Sequence, residues 1–422
     1  MDFMLTAEQQ HLREVARNFA LTEVRPAARA MEREQDPSRW CPAELVKRAS
    51  QLGLRLLSLP EEYGGRDAGC LTQVVVLEQL CFGDVGFGLA LMHCWREGRV
   101  LADIGTDYQK DHFLAELVAD DSFLPAWCIT EPDFGSDNDL GYAGSLADGP
   151  TTNAIRDGDD WVINGTKCYI TNASVAKLFI VGARTDQTVT WKRGQSLFLV
   201  PAGTPGLEPG PPQHELGARL RMGGIVEFRD CRVPQRNLLG PLNTVRDLHV
   251  GRGNKVKEAT KALGVGQAAY EIALHYAKKR IQGGTRLIEH QLIGGSLADM
   301  AIELEQARTF IWRAAWTIDQ RLPEADGLED MAKVATTETV MSVATRAIQI
   351  WGHAGALTEN PIEKLVRDAA VMLLPPIGNS ALRSKIAGKL DRIDVAGNDT
   401  DGKSQAGYEN SRGTHATQGE AL

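Results

Sequence analysis

The sequence lacks a long hydrophobic run. It has 422 residues, of which 43% are apolar, but no uninterrupted apolar stretch reaches the roughly 18 residues that a transmembrane helix needs. The N-terminal segment also lacks a basic stretch followed by an apolar one, the pattern of a secretory signal. These absences argue against insertion into a membrane and against secretion, and they predict a cytoplasmic protein.

Cysteine is scarce and shows no motif. The chain has seven cysteines, an odd number, and no CxxC pair. A disulfide framework or a zinc site would require closely spaced cysteines, so neither is expected. We expect free thiols in a reducing compartment and no bound metal.

Positive charge is not in excess either. The chain has 46 lysines and arginines against 55 aspartates and glutamates, which gives a formal net charge of −9. Proteins that bind nucleic acid usually present a basic surface. We therefore expect no nucleic-acid partner.

The chain divides into segments that differ in composition and in hydrophobic periodicity. Residues 1–125 show helical spacing, most clearly at 7–34, where Thr6 and Gln9 have the spacing of a capping box. Residues 126–240 are rich in turn formers and contain short β-prone runs, and helical patterns return in 241–392. The last residues, 393–422, have almost no large apolar groups and are expected to be a disordered tail.

Seven motifs occur in an order that resembles the acyl-CoA dehydrogenase family. They are PEEYGG (60–65), AWCITEPDFGSD (126–137), INGTKCYITNA (163–173), FRDCRVPQRNLLG (228–240), YAKKRIQGG (276–284), EHQLIGGSLADM (289–300) and AIQIWGHAGALTENPIEKLVRDA (347–369). The resemblance implies an α+β multidomain fold. It has an N-terminal all-α domain, a middle β domain of barrel or sandwich type, and a C-terminal four-helix-bundle α domain.

The resemblance also implies FAD as the cofactor. In the family the TEP segment and the following strand hold the flavin ring, which the protein positions and tunes. Carried over, Thr130 binds the pyrimidine end, Thr171 lies near N5, and Tyr169 packs on the ring. Ser136 lies close to the cofactor phosphates and to the substrate.

Other family positions reach the FAD of a neighbouring subunit, which implies a homotetramer. These are Arg280 and Gln291, while Gln349 with the turn from Gly352 to Gly355 matches the strip along the adenine side. The alternative for Arg280 is a charge that stabilises a helix C-terminus. The aromatic residue that usually follows Arg280 by three positions is replaced by Gly283.

The usual catalytic base of the family is missing. That glutamate removes the α-proton of the acyl thioester and follows the RDA motif by seven residues. Aligning RDA without gaps places Pro376 there, and sliding by one residue places Ile377 there. Proline can neither accept the proton nor offer a backbone N–H to the thioester carbonyl.

A displaced base is the first way to keep the reaction. A minority of the family carries the glutamate on the first helix of the C-terminal domain, where this chain has Asn254. Glu258 lies one helical turn further along and is one candidate, and Glu97 is the other. For Glu97, a role as an ionic neighbour of Arg96 or Arg99 is favoured over that of a base.

The stretch LMHCWREG, counted back from Gly105, is expected to line the acyl pocket. It places Arg96 where straight-chain enzymes have an apolar residue. A buried guanidinium needs an anionic partner, which could be a terminal carboxylate or sulfinate of the substrate. The internal alternatives are Asp84 and Glu97, although Glu97 starts about 100° away around a helix.

Four interpretations of function remain from the sequence. The first is a dehydrogenase that forms a double bond in an acyl-CoA, uses a displaced base and passes electrons to electron-transfer flavoprotein or another acceptor. The second is a base-free elimination enzyme, similar to a desulfinase. The third is an FAD-binding subunit without the base in a heterotetramer, and a monooxygenase of the same fold is a further alternative.

Overall fold

The computed structural model describes residues 4–138, 148–245 and 253–390. Helices come first, an eight-stranded sheet follows, and long helices complete the described chain. This order confirms the predicted fold class. The predicted domain boundaries after residues 125, 240 and 392 stay predictions, and the predicted tail at 393–422 lies outside the described residues.

The N-terminal part contains seven helices: α1 Ala7–Phe19, α2 Arg25–Met31, α3 Ala43–Gln51, α4 Cys70–Gly83, α5 Val85–Ile104, α6 Asp107–Gln109 and α7 Ala115–Ala119. The predicted capping box is confirmed, since the Gln9 backbone N–H donates to Thr6 Oγ1 over 3.2 Å and the Thr6 N–H donates to Gln9 Oε1 over 3.0 Å. The helix predicted for 7–34 ends at Met31 and contains one π turn, Ala20–Val24, just before Pro26. Proline lacks the N–H that regular helix bonding needs.

The described ranges contain ten strands: β1 Pro125–Cys128, β2 Asn153–Asp157, β3 Asp160–Ile170, β4 Leu178–Arg184, β5 Gln195–Pro201, β6 Leu207–Pro209, β7 Gly224–Pro234, β8 Leu238–Leu239, β9 Ile281–Gln282 and β10 Thr285–Arg286. The main sheet runs β6-β7-β3-β2-β4-β5-β8, with β1 parallel to β4. The pairing of β3 with β7 shifts register between Lys167 and Ile170. Such a bulge re-aims side chains, and here it leaves Tyr169 exposed with a left-handed φ of 58°.

The C-terminal helices are α8 Asn254–Lys279, α9 Gln291–Asp319, α10 Ala325–Trp351, α11 Ile362–Met372 and α12 Asn379–Leu390. Helix α8 is central and packs against α4, α9, α10 and α11. It approaches α4 closely because Gly264 has no side chain, and a Cβ there would lie 2.6 Å from the Glu78 carbonyl oxygen. Helix α9 buries one face, on which Met300, Leu304, Ala307 and Ile311 recur at helical spacing.

The described residues show neither a membrane span nor a metal cluster. No helix in these ranges combines the length and apolar character that crossing a bilayer requires. Histidine, cysteine and carboxylate side chains in the same ranges form no group able to hold a metal ion. All seven cysteines are described and carry free thiols.

A buried aspartate ties α12 to the bundle. The Asp330 side chain in α10 is fully buried, and its carboxylate lies 2.9 Å from Lys385 Nζ of α12 and 3.3 Å from Lys255 Nζ of α8. An uncompensated buried charge is costly, so Asp330 holds the two lysines and with them the two helices.

We predict that Asp330→Asn lowers the free energy of unfolding by about 1–3 kcal/mol. Removing one member of a fully buried ion pair costs about 3–5 kcal/mol, and the value here is smaller because Lys385 is partly exposed. Urea denaturation measures the change. Arg383→Gln is the matched control, since its pair with Glu338 is exposed and should contribute about 0–1 kcal/mol; equal effects of both substitutions would contradict the prediction.

Candidate active site

The segment after β1 is bonded to the end of β3. The Cys168 backbone N–H donates to the Thr130 carbonyl oxygen over 3.0 Å. Thr130 is therefore held beside Tyr169, the residue after Cys168. Ser136 is half-buried and opens a short 3₁₀ turn further along the same loop.

A buried ion pair fixes this arrangement. Lys167 Nζ lies 2.8 Å from Glu131 Oε1, and both side chains are almost completely buried. Glu131 also accepts hydrogen bonds from the backbone N–H groups of Thr151, over 2.6 Å, and Thr152, over 3.1 Å. The pair links the TEP segment to β3 and to the segment before β2. Sequence reasoning missed both residues, although each stands inside a quoted motif.

Arg221 organises the other end of β3. Its Nη1 donates to the Tyr169 carbonyl oxygen and to Thr171 Oγ1, each over 3.0 Å, and its Nε donates to Glu215 over 2.6 Å. Thr171 Oγ1 acts as an acceptor in this contact, so its own hydrogen is free to donate. The Tyr169 side chain is 59% exposed, which leaves its ring available for packing.

The second set of residues predicted to bind FAD lies at the ends of α8 and α10. Arg280 is exposed and directly follows the last residue of α8. Tyr276 stacks on Trp351 of α10 with ring centroids 4.2 Å apart, which brings Arg280 to the same end of the bundle as Gly352.

The remaining predicted residues of this group are also at that end of the helices. Gln291 begins α9 and is exposed, and Gln349 is exposed on α10 beside a surface cavity of about 440 Å³. Gly352 has a φ of +60°, which favours glycine. A Cβ at Gly355 would lie 2.8 Å from the Ile348 side chain. The turn therefore needs both glycines.

The segment at the usual base position is held by a lysine. Lys333 Nζ donates to the carbonyl oxygens of Leu373 and Ile377, over 3.0 and 2.9 Å, and to Asn379 Oδ1 over 2.7 Å. Burial lowers the pKa of Lys333 to about 8. Ile377 points inward and Pro376 is exposed. Neither side chain has a group that takes a proton.

Several charged side chains are buried where α5, β1 and α8 meet. We call these side chains, together with the neutral Trp127 ring that Arg96 contacts, the charged cluster; its members are His93, Arg96, Glu97, Trp127, Lys257, Glu258 and Lys261. The Arg96 guanidinium lies over the Trp127 ring at 5.0 Å from its centroid. The charges of Arg96 and Glu97 act on Lys257, and that of Lys261 acts on His93. An acyl pocket in this place would have polar walls.

Arg96 is paired with Glu97, so the favoured role of Glu97 as an ionic neighbour of Arg96 is confirmed. Arg96 Nη2 lies 2.7 Å from Glu97 Oε1, and Arg96 Nε lies 3.2 Å from Oε2. The two Cβ atoms start about 100° apart around the helix, but the long arginine side chain folds back. Its charge therefore does not require an anion from the substrate.

Asp84, the other internal partner considered for Arg96, lies elsewhere. It caps α5 by accepting the Phe87 backbone N–H over 2.8 Å, and its second oxygen lies 2.7 Å from Lys364 Nζ of α11. A cavity of about 670 Å³ lies beside this ion pair and contains none of the predicted site residues. Asp84 therefore stabilises the fold and has no role in compensating Arg96.

The two glutamates of the charged cluster differ in their hydrogen bonding. Glu97 is fully buried, and both of its oxygens are bonded to Arg96 or His93. Burial acts to raise the pKa of Glu97, but the charge of Arg96 and the hydrogen bonds from Arg96 and His93 outweigh it and lower the pKa. Glu258 Oε1 lies 2.6 Å from Lys261 Nζ, whereas its buried Oε2 has no hydrogen-bond partner among the described residues.

Lys257 is the buried cation of the charged cluster that has no ion-pair partner among the described residues. Its side chain is buried, yet the Nζ atom makes no hydrogen bond or ion pair with a residue in the described ranges. Burial lowers its pKa, and the charge of Arg96 lowers it further. The charged cluster thus holds three cationic side chains against two carboxylates. Sequence reasoning missed Lys257 because a lysine in a helix is usually solvated.

Comparison with known proteins identifies one family over most of the chain between residues 6 and 388. Residues 6–121, 126–231 and 246–388 match the N-terminal, middle and C-terminal domains of acyl-CoA dehydrogenase. A probable acyl-CoA dehydrogenase of Bacillus subtilis, YngJ, is 35% identical over 88% of this chain and 95% of its own length.

Solved structures agree with this. Butyryl-CoA dehydrogenase from Megasphaera elsdenii superimposes with a TM-score of 0.84 and 29% identity, covering 93% of this chain and 100% of its own. The FAD complex of PigA gives 0.82 and 27%, covering 93% and 99%.

We predict that Glu131→Gln destabilises the protein by about 3–5 kcal/mol, because it leaves the Lys167 ammonium buried without a counter-charge. Denaturant unfolding measures the loss. Asp160→Asn is the control. Asp160 lies on β3 like Lys167, but its pair with Arg232 of β7 is exposed and contributes about 0–1 kcal/mol. A loss no larger than that of the control would show that the Glu131 pair is not a structural anchor.

The same substitution should change the pH dependence of stability. Burial acts to raise the pKa of Glu131, but Lys167 and the hydrogen bonds outweigh it and hold the pKa below its ordinary 4.5. The stabilisation is therefore complete above pH 4.5 and is lost as the pH falls through the folded-state pKa. In Glu131→Gln the slope of unfolding free energy below pH 4.5 should be shallower, by at most ~1.4 kcal/mol per pH unit.

Proposed function

Because the chain belongs to the acyl-CoA dehydrogenase family, we propose that it is an FAD-dependent oxidoreductase that forms a double bond in the acyl group of a CoA thioester. The finer proposal is that this acyl group ends in an anion. The protein would work in the cytoplasm as a homotetramer and pass electrons to electron-transfer flavoprotein or another acceptor.

The residues around β3 fit a flavin ring. Thr171 has a free hydroxyl hydrogen, because its oxygen accepts from Arg221, and the exposed Tyr169 ring lies two residues away. Thr130 and Ser136 would bind the pyrimidine end and the phosphates. When bound, FAD supplies a hydride acceptor at its N5.

The residues at the ends of α8 and α10 would hold the FAD of a neighbouring subunit. Arg280 and Gln291 are exposed, and Gly352 and Gly355 form a turn that allows close backbone approach. In this proposal Gln349 contacts the adenine side. The exposure of Arg280, Gln291, Gln349 and Gly352 in a single chain supports a site completed by association.

Lys257 carries the proposal that the acyl group is anionic. A buried ammonium without a partner is unfavourable, and Glu97 and Glu329 act on Lys257 only from beyond ion-pairing distance. A carboxylate or sulfinate at the end of the acyl group would balance the excess positive charge. Arg96, which was the first choice for this contact, would then shape the pocket with its charge already matched by Glu97.

A base-free elimination is the second candidate, and the exposed Pro376 favours it. If the substrate carries a leaving group, the departure of that group can replace removal of a proton. The products distinguish the two candidates. Dehydrogenation lowers the mass of the thioester by that of two hydrogen atoms, whereas desulfination releases sulfite. Lack of FAD binding and of both reactions in the protein expressed alone would favour a subunit of a heterotetramer.

We predict that Lys257→Met weakens an anionic acyl-CoA selectively. The test compares glutaryl-CoA with valeryl-CoA, which has the same chain length but no charge. Loss of one partner of a buried charge pair should raise the activation free energy that governs kcat/KM by about 2–5 kcal/mol for the anionic thioester. The kcat/KM of the neutral thioester should change little. Lys257→Arg is the control that keeps the charge. An equal loss for both thioesters, or none, would rule out this role.

We predict that Arg280→Ala releases FAD. A hydrogen bond to a charged group contributes about 1.5–3 kcal/mol, so the FAD dissociation constant should rise accordingly. Equilibrium dialysis of the purified tetramer measures it. The control is Arg313→Ala, an exposed arginine on α9, which should retain FAD as the unmodified protein does. Unchanged affinity in Arg280→Ala would reject the intersubunit contact.

A further inference from the structure

We propose that His93 is the group that takes the α-proton in place of the missing glutamate, with Glu97 as the residue that orients it. This inference rests on the proposed function, because it assumes an acyl thioester in the pocket. The observations that carry it are the hydrogen bonding of the imidazole, its place in the fold and the ion pairs of its neighbours.

The imidazole has one nitrogen engaged and one free. His93 Nδ1 lies 2.7 Å from Glu97 Oε1. Glu97 is ionised, since Arg96 and His93 outweigh burial and lower its pKa, so Nδ1 carries the hydrogen and donates it. The nearby Arg96 Nη2, 3.2 Å from Nδ1, then serves only Glu97. Nε2 therefore keeps its lone pair, and it makes no hydrogen bond with any residue that the structure describes.

His93 is also uncharged before it accepts a proton. Burial lowers its pKa below the ordinary value, against the opposing effect of Glu97. The charged groups that act on it are Arg96 and Glu97 on its own helix and Lys261 on α8; Trp127, on β1, carries no charge. Protonation creates an imidazolium beside a carboxylate, which is a favourable pair.

The carboxylates of the cluster are poorer acceptors. Both oxygens of Glu97 are already bonded, as described above. Glu258 has a free Oε2, but its protonation would leave the Lys261 ammonium, 2.6 Å from Oε1, buried without a counter-charge. His93 is the acceptor whose protonation breaks no ion pair.

The fold places His93 close to the proposed flavin segment. Asn172, which follows Thr171, donates through Nδ2 to the carbonyl oxygens of Ala90 over 3.2 Å and Pro125 over 2.9 Å. Ala90 lies three residues before His93 on α5, less than one helical turn of about 5.4 Å along the axis. One side chain thus joins β3, the start of β1 and the turn of α5 next to His93.

The proposed step balances as follows. The α C–H bond breaks, its proton forms a bond to His93 Nε2, and its electron pair becomes the second bond between the α and β carbons. The β-hydrogen leaves with its electron pair for the flavin of the proposed function, so the acyl group is oxidised and FAD is reduced. The proton on His93 must then return to solvent before the next cycle.

The test isolates proton removal from oxidation. 3,3-Dimethylglutaryl-CoA and 3,3-dimethylbutyryl-CoA have α-hydrogens but none at the β-carbon, so neither can be dehydrogenated. Each is incubated with the FAD-loaded protein in deuterium oxide, and mass spectrometry measures α-deuterium uptake. General base catalysis typically contributes ~10²–10⁴-fold, and His93→Asn should slow the exchange by such a factor. Asparagine keeps a donor toward Glu97, and melting temperature and retained FAD verify folding.

Glu97→Gln and His112→Asn complete the experiment. Removing the Glu97 charge should lower the pKa of His93 further, so the acid limb of the exchange rate should move to lower pH and the plateau should fall. A merely structural role would leave the limb in place. His112, on the π turn between α6 and α7 and exposed, should be replaceable without effect.

The experiment distinguishes failure of the role proposed for His93 from failure of the proposed function. Exchange at the unmodified rate in folded His93→Asn, or loss of exchange in Glu258→Gln alone, would overturn the role of His93. Bound thioester without any exchange in the unmodified protein would overturn it as well. If calorimetry shows that neither thioester binds, the proposed function itself fails. Exchange of both thioesters with no preference for the anionic one would leave His93 supported and reject only the anionic substrate.

Discussion

The bonds between Glu97, Arg96 and His93 hold three polar side chains inside the wall between α5, β1 and α8. A charge in this place is tolerated only with a matching charge, because burial removes its hydration. Glu97 supplies that match for Arg96. Lys257 has no ion-pair partner among the described residues, and this imbalance is the basis for proposing an anionic acyl group.

Further contacts fix the position of the segments proposed to hold the flavin relative to α5. The buried pair of Glu131 and Lys167 links the loop after β1 to β3, and Asn172 links the end of β3 to α5. The residue after Thr171 is therefore tied directly to the helix that carries His93, Arg96 and Glu97. Lys333 holds the segment that carries Pro376 through hydrogen bonds to the carbonyl oxygens of Leu373 and Ile377.

The order of helices and strands was predictable from the sequence because it depends on local periodicity and on turn residues. The capping box at Thr6 and Gln9 was predicted for the same reason. The partner of Arg96 was not, since Cβ directions on a helix say little about where a long, flexible side chain ends. Lys257 and Lys333 were missed because their burial depends on contacts between helices distant in sequence. The bulge that exposes Tyr169 likewise arises from the pairing of β3 with β7.

The most direct test of this account is a crystal structure of the FAD-loaded protein with 3,3-dimethylglutaryl-CoA bound. We expect the terminal carboxylate within hydrogen-bonding distance of Lys257 Nζ, below about 3.2 Å, and His93 Nε2 facing the α-carbon on the side away from the flavin. A carboxylate that lies in solvent, with the acyl group outside the charged cluster, would contradict the account.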